Sequence, residues 1–189
     1  MGEHILVIMK RNIAIYLSSH SNLPDSYRQA VSEVGKWMGQ AGHTLVYGGA
    51  RKGLMEVLAQ TVKGYGGRVF GVVPQILVDR NCVSDHIDVI FHCTDLSDRK
   101  AVMMRESEVL LAMPGGIGTL DEVFTALAAN TIGLQRKHVI LYDVDGCWDR
   151  LMEMLCQMKE VSLVSEESLS FLHVVNSVDL LQETIDKVS

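Results

Sequence analysis

Three glycines and two carboxylates share one short stretch of the chain, Met113–Glu122, with the sequence MPGGIGTLDE. Gly115, Gly116 and Gly118 follow an apolar run, and glycine lets the backbone approach a ligand closely. We expect a helix to begin near Thr119, and the unpaired N–H groups at a helix start bind phosphate and similar anions. The stretch therefore predicts an anion-binding turn; the alternative is a tight strand-to-helix turn without a ligand.

The carboxylates of Asp121 and Glu122 fall in the first turn of this predicted helix. Acidic side chains there ordinarily compensate the helix dipole, but beside a bound phosphate they add repulsion. A ligand with a phosphate at one end and a sugar carbon at the other satisfies both groups. The amides hold the phosphate, and a carboxylate faces the carbon where positive charge develops, as in glycoside hydrolysis.

A second polar stretch, TDLSDRKAVMM (94–104), carries Arg99 and Lys100. If Asp95 or Ser97 caps this helix, both cations lie near its positive end, where cations are disfavoured. A bound anion would offset that repulsion. The alternative is a solvated face with Asp98 as an ion-pair partner, because exposed pairs are common and weak.

Short apolar runs alternate with helical spacing along the whole chain. The predicted strands are 12–15, 43–47, 68–73, 87–91, 109–113, 138–142 and 172–175. The predicted helices are 27–41, 54–62, 96–107, 120–134, 148–158 and a last one capped near Ser177. This order indicates a doubly wound, Rossmann-like α/β fold with a mostly parallel sheet and helices on both faces. Ligands bind such sheets at the carboxyl ends of the strands, where the loops 16–21, 47–53 and 114–119 are expected.

Composition limits the class of protein. The 189 residues predict one domain, 1–189, in which residues 1–11 form a short N-terminal extension. The net charge is −6 with scattered basic residues, which argues against a nucleic-acid partner. The four cysteines and seven histidines show no metal-binding spacing, and the cysteines predict reduced thiols. The apolar run at the start is too short for a signal peptide or membrane span, so we expect a cytoplasmic protein without membrane contact.

Taken together, these residues resemble the LOG family, the cytokinin riboside 5′-monophosphate phosphoribohydrolases, from about Asn12 to the last helix. The family pattern PGGxGTxxE is met by Pro114, Gly115, Gly116, Gly118, Thr119 and Glu122. Its RK pair and following Met are met by Arg99, Lys100 and Met103. Its GG and GLM segments are met by Gly48, Gly49, Gly53, Leu54 and Met55, and its GV[IV]P strand end by Gly71–Pro74.

The resemblance implies a homodimer that hydrolyses the N-glycosidic bond of a nucleoside 5′-monophosphate to the free base and ribose 5-phosphate. It implies no metal and no organic cofactor, because the nucleophile is water. It assigns the catalytic roles to Arg99 and Glu122. The residues expected to bind the substrate are Ser18, Ser19, Gly48, Gly49, Met55, Lys100, Pro114, Gly115, Gly116, Gly118, Thr119 and Asp121.

The chain departs from the family pattern at several positions. Leu17 stands where the family has a Gly, and Ser97 stands where it has a His. Asn81 replaces a ligand-binding Glu, with Asp85 close by, and Ala128-Ala129 replaces a Thr-Trp pair. These departures do not affect the expected reaction. They leave two candidates for the base of the substrate, a cytokinin-type base and plain adenine, as in AMP. Two rival functions are a nucleotide-binding protein without turnover and a pyridoxal-phosphate-dependent amino-acid decarboxylase. The latter needs a lysine in a suitable setting, which the sequence does not indicate.

Overall fold

The computed structural model describes residues 9–188, so residues 1–8 of the predicted extension and Ser189 lie outside the described residues. The described residues form seven strands, β1–β7 in chain order: Asn12–Tyr16, Thr44–Tyr47, Arg68–Pro74, Val89–Cys93, Val109–Ala112, Val139–Tyr142 and Leu172–Val175. The same part of the chain forms eight helices, α1–α8: Asp25–Ala41, Gly53–Gly64, Gln75–Asp79, Leu96–Arg105, Ile117–Thr131, Asp149–Glu160, Glu166–Leu169 and Val178–Val188.

The strands form one sheet in the order β4-β3-β2-β1-β5-β6-β7, and every pairing between them is parallel. β1 lies at the centre, where Ile13 is in register with Leu45 of β2 and Val109 of β5. The strand order reverses at the β1–β5 junction, which is the topological switch point of a doubly wound sheet. The predicted Rossmann-like class is confirmed.

Helices cover both faces of the sheet because alternate strand residues point to opposite sides. On one face, Ile13 and Ile15 pack in a core with residues of α1, α2 and α8. On the other face, Ala14 and Tyr16 pack with residues of α4, α5 and α6. Arg99 of α4 and Glu122 of α5 therefore belong to helices that lie on the same face, above the end of β1.

Several predicted boundaries are confirmed. Helix α1 ends before Gly42, whose φ of 73° is the left-handed conformation that glycine adopts readily. Asp95 caps α4 by accepting hydrogen bonds from the backbone N–H groups of Ser97 and Asp98 at 2.8 Å. The Ser177 hydroxyl likewise accepts from the N–H of Leu180 at the start of α8.

Other predictions were wrong. Helix α5 begins at Ile117 rather than near Thr119, so Asp121 and Glu122 lie in its second turn and not its first. It ends at Thr131 because Gly133 takes a φ of 72°, which leaves Leu134 in a loop and 77% exposed. Strand β4 begins two residues after the predicted start, and the short helices α3 and α7 were not predicted. Across residues 9–188, none of the helices combines the length and apolar character that crossing a membrane requires.

Candidate functional site

A cavity of about 360 Å³ lies at the carboxyl ends of β1 and β5, at the switch point of the sheet. Its wall is formed by Leu17–His20 after β1, Met55 of α2, Arg99 of α4, and Gly116–Thr119 and Glu122 of α5. Residues from four separate parts of the sequence thus converge on one space. The volume is within the range of small-molecule sites.

A larger groove of about 470 Å³ lies at the ends of β6 and β7. It contains none of the predicted site residues, and Glu33, Asp143 and Asp145 give it an acidic wall. An acidic wall repels phosphate, so the smaller cavity at the switch point is the better candidate for a nucleotide.

The start of α5 forms the anion-binding side of the cavity. Gly116 occupies the N-cap position, and no side chain caps the helix, so its first N–H groups stay available to a ligand. The positions beside Gly116 and Gly118 are open, since a Cβ added at either would have no neighbour within 4 Å. At Gly115 a Cβ would lie 2.1 Å from the Thr119 Oγ1, so this position requires glycine. The carbonyl of Pro114 accepts a hydrogen bond from the N–H of Ser18 at 3.2 Å, which joins the two loops.

Glu122 points its carboxylate into this cavity from the second turn of α5. Its side chain is 8% exposed and hydrogen-bonds to none of residues 9–188. Burial raises the pKa of Glu122 to about 7, with the charges of Arg99 and Lys100 lowering it and that of Asp121 raising it further. At neutral pH the carboxyl group is therefore close to half ionised, a state suited to accepting a proton.

Arg99 faces Glu122 from α4. Its guanidinium lies against Gly48, where an added Cβ would be 1.5 Å from Nη2. Within the described part of the chain it forms no ion pair, and its buried Nε has no hydrogen-bond partner. Asp98, the alternative partner that the sequence offers, instead accepts hydrogen bonds from Thr94. The guanidinium donors are thus available to an anion or a sugar in the cavity.

Six of the predicted binding residues do not line the cavity: Gly48, Gly49, Lys100, Pro114, Gly115 and Asp121. Lys100 and Asp121 bind each other between α4 and α5, with Lys100 Nζ at 2.7 and 2.8 Å from the two carboxylate oxygens of Asp121. Gly49 has a φ of 75° and packs beneath Val73, and its carbonyl accepts the N–H of Ser84. Direct contact of these residues with a substrate stays a prediction.

The cavity also includes residues that the sequence did not single out as site residues. Leu17, His20 and Ile117 line it. Tyr16 ends β1 on the face that α4 and α5 cover and is 1% exposed. Burial, and next the Glu122 carboxylate, raise the pKa of Tyr16, while Arg99 lowers it, so the phenol is neutral near the catalytic candidates. β1 extends one residue beyond the predicted strand 12–15, so the sequence prediction placed Tyr16 in the loop 16–21.

The positions where the chain departs from the family pattern lie away from the cavity wall, apart from Leu17. Asp85 is held by an ion pair with Arg51 at 2.6 Å, and Asn81 lies in an exposed turn. Ala128 and Ala129 lie on later turns of α5. Glu122 is the one acidic residue among those that line the cavity. The lining therefore offers no second carboxylate that could bind the base of the substrate.

Comparisons with known proteins identify the family of the chain. Residues 55–185 match the model of a family described as "possible lysine decarboxylase". The chain is 32% identical over 178 residues to the probable cytokinin riboside 5′-monophosphate phosphoribohydrolase LOGL6 of Oryza sativa subsp. japonica, spanning 94% of this chain and 70% of that protein. It is 32% identical over 155 residues to the cytokinin riboside 5′-monophosphate phosphoribohydrolase LOG7 of Arabidopsis thaliana, spanning 82% and 71%.

Among solved structures, the chain is similar to the molybdenum cofactor binding protein from Rippkaea orientalis. The TM-score is 0.72 at 22% identity, over 95% of this chain and 98% of that one. At this identity the likeness establishes the fold, and the fold alone does not fix the function.

Proposed function

Because the chain belongs to the LOG family, whose model carries the description "possible lysine decarboxylase", we propose that it hydrolyses the N-glycosidic bond of a nucleoside 5′-monophosphate. The observation that carries this proposal is the pairing of Glu122 with Arg99. The two side chains come from different helices, face one cavity and form no hydrogen bond or ion pair within residues 9–188. The uncapped start of α5 lies at the same cavity.

The substrate phosphate is proposed to bind the free N–H groups of Gly116–Thr119. A phosphate there accepts several backbone hydrogen bonds and gains from the positive end of the helix dipole. Glu122 lies one to two turns after these N–H groups on α5. Each residue advances the helix by about 1.5 Å, so the separation along the helix axis is about 5–9 Å. That distance suits a ribose 5-phosphate lying between the amides and the carboxylate.

In the proposed reaction, Glu122 takes a proton from a water molecule whose oxygen bonds to the anomeric carbon. The bond between that carbon and the base nitrogen breaks, and the base leaves with the electron pair and takes a proton from solvent, while Glu122 returns its proton to solvent. The products are the free base and ribose 5-phosphate. Before the water bonds, the ionised carboxylate stabilises the positive charge on the sugar, while Arg99 binds the sugar or phosphate and offsets negative charge on the leaving base.

A decarboxylase function has less support in the residues of the cavity. Pyridoxal phosphate requires a lysine that forms a Schiff base, and no lysine lines this cavity. Lys100 is held by Asp121, and Lys137 donates hydrogen bonds to the carbonyls of Met104 and Ser107. The remaining rival is binding of a nucleotide without turnover, a function that the same cavity supports.

We further propose a homodimer and a cytoplasmic location. Exposed apolar side chains follow one side of α5 at Ile117 and Phe124 and continue just past its end at Ile132, with exposed fractions of 82%, 37% and 72%. Such a stripe is suited to burial against a second copy. Sedimentation of a monomer at micromolar concentration would contradict the dimer. All four cysteines are free thiols, which supports a reducing compartment.

The experiment is a substrate panel. Purified protein is incubated with AMP, a cytokinin riboside 5′-monophosphate and the other common nucleoside monophosphates, and the free base is separated by chromatography. We expect release from an adenine-type substrate, and the ratio of the rates for AMP and the cytokinin nucleotide identifies the base. Glu122→Gln and Arg99→Ala are each expected to lower kcat/KM by at least about 100-fold.

Arg105→Ala serves as the control, because Arg105 lies on the same helix but is solvent-exposed and paired with Glu106. It should retain the wild-type rate. Nucleotide binding by calorimetry without release of any base would favour the binding protein over the hydrolase.

A further inference from the structure

Two charged residues sit next to the catalytic candidates in the sequence and bind each other. Lys100 follows Arg99 on α4, and Asp121 precedes Glu122 on α5. The Lys100 Nζ lies between the two Asp121 oxygens at 2.7 and 2.8 Å. The Lys100 side chain is only 16% exposed, whereas that of Asp121 is half exposed. An ion pair that is partly shielded from water is screened less than a fully exposed pair.

The pair is a polar link between α4 and α5, the helices that carry Arg99 and Glu122. Arg99 and Glu122 form no hydrogen bond or ion pair with each other within residues 9–188, although the Arg99 charge lowers the Glu122 pKa. Their relative positions depend on how α4 lies against α5. The Lys100–Asp121 ion pair lies one residue from Arg99 on α4 and one residue from Glu122 on α5, so it fixes the relative position of the two helices close to these side chains.

The ion pair also reduces the repulsion between Asp121 and a phosphate bound at the start of α5. Asp121 lies one turn from the N–H groups of Gly116–Thr119, and an unpaired carboxylate there repels a phosphate. Lys100 neutralises that charge. Glu122 avoids the same repulsion in a different way, because burial keeps a large share of it protonated near neutral pH.

We propose that the Lys100–Asp121 ion pair is a positioning element that holds Arg99 opposite Glu122 and removes the Asp121 charge from the anion-binding end of α5. This inference rests on the proposed function for its effect on turnover. Its effects on nucleotide binding and on the Glu122 carboxyl group do not require turnover. Under this proposal both residues act through their neighbours, as an alternative to direct contact with the substrate.

The test compares Lys100→Met, Asp121→Asn and the double variant. The charged and titratable groups around Glu122 are Arg99 and Lys100 of α4, Asp121 of α5, Tyr16 of β1 and His20 of the loop after β1. Carbon-13 NMR of glutamate-labelled protein follows the titration, and the Glu122→Gln spectrum identifies the signal. Lys100→Met should raise the Glu122 pKa and Asp121→Asn should lower it, each by about 0.5 unit, with the double variant near the wild-type value.

Calorimetry with AMP gives a second readout. Lys100→Met leaves Asp121 unpaired and should weaken binding about 10-fold, whereas Asp121→Asn and the double variant should bind within about 3-fold of wild type. The kcat of Lys100→Met should fall about 10-fold or more, and Lys100→Arg, which can still pair with Asp121, should recover most of it. Lys159→Met breaks a comparable pair with Glu166, 3.1 Å apart and between α6 and α7, and should change none of these quantities.

A merely structural link would loosen both helices and shift the Glu122 pKa in the same direction in both single variants. That result, or unchanged AMP binding in Lys100→Met, would overturn the proposal. If wild-type protein releases no base from any nucleotide, the hydrolase function fails, while the titration and the binding data still decide the role of the pair.

Discussion

The substitution Gly48→Ala tests the position of Arg99 without removing any group from the cavity. A Cβ at residue 48 would lie 1.5 Å from Nη2 and 2.7 Å from Cζ of Arg99. Ordinary contact begins near 3.4 Å, so the guanidinium must retreat by about 2 Å. A displacement of about 1 Å at a reacting centre can lower the rate about 100-fold. We therefore expect kcat/KM to fall at least about 100-fold, equivalent to about 2.7 kcal/mol of transition-state stabilisation.

The fold should tolerate this change, because the clashing atoms are the end of a flexible side chain beside a cavity. We expect the free energy of unfolding to change by less than about 1 kcal/mol, or a few degrees in Tm. The assay is base release by chromatography, with thermal unfolding measured on the same sample. Gly64→Ala is the matched control, since a Cβ there meets nothing within 4 Å. Wild-type kcat/KM in Gly48→Ala would refute the role given to Arg99.

Three further predictions concern stability. Burial raises the Glu122 pKa from 4.5 to about 7, so the folded state binds more protons between these values and its stability rises as pH falls through that window; the gap corresponds to about 3 kcal/mol. Glu122→Gln should therefore unfold at a higher temperature than wild type at pH 8 and at the same temperature at pH 4.5. His138 Nδ1 and His173 Nε2 are 2.8 Å apart, and burial lowers the pKa of both rings. The unfolded state therefore binds more protons, and stability falls as pH drops below 6.5. His173→Gln should reduce this loss of stability, measured by urea unfolding at pH 5. A loss as large as that of the wild type would contradict the role given to His173. Gly53 has a φ of 58° and its Cβ would lie 2.3 Å from the Ser19 carbonyl oxygen, so Gly53→Ala should destabilise the protein by at least about 1–3 kcal/mol, a loss that Gly118→Ala should not reproduce.

Much of the fold follows from local patterns in the sequence. The fully apolar strands, such as 109–112, predict burial on both faces, and Gly42 marks the end of α1 by its left-handed conformation. The start of α5 was misplaced because its glycines suggest a loop, yet Gly118 lies inside the first turn. No capping side chain marks the boundary, and the missing cap is what leaves the N–H groups available to a ligand.

The site was predicted less completely because its key contacts join distant parts of the chain. The guanidinium of Arg99 lies against Gly48, about fifty residues away, and Lys100 pairs with Asp121 on another helix. The spacing of residues within one segment does not predict contacts between distant segments. Sequence motifs named these residues through a family resemblance, and the structure supplies the physical relation between them.

The central claim is that Glu122 lies opposite the anomeric carbon of a nucleotide whose phosphate binds the start of α5. A crystal structure of Glu122→Gln with a bound nucleoside monophosphate tests it most directly. We expect phosphate oxygens within about 2.7–3.2 Å of the backbone nitrogens in Gly116–Thr119, and the residue-122 amide within about 4 Å of the anomeric carbon. A phosphate bound elsewhere, or a residue-122 side chain turned away from the ribose, would contradict it.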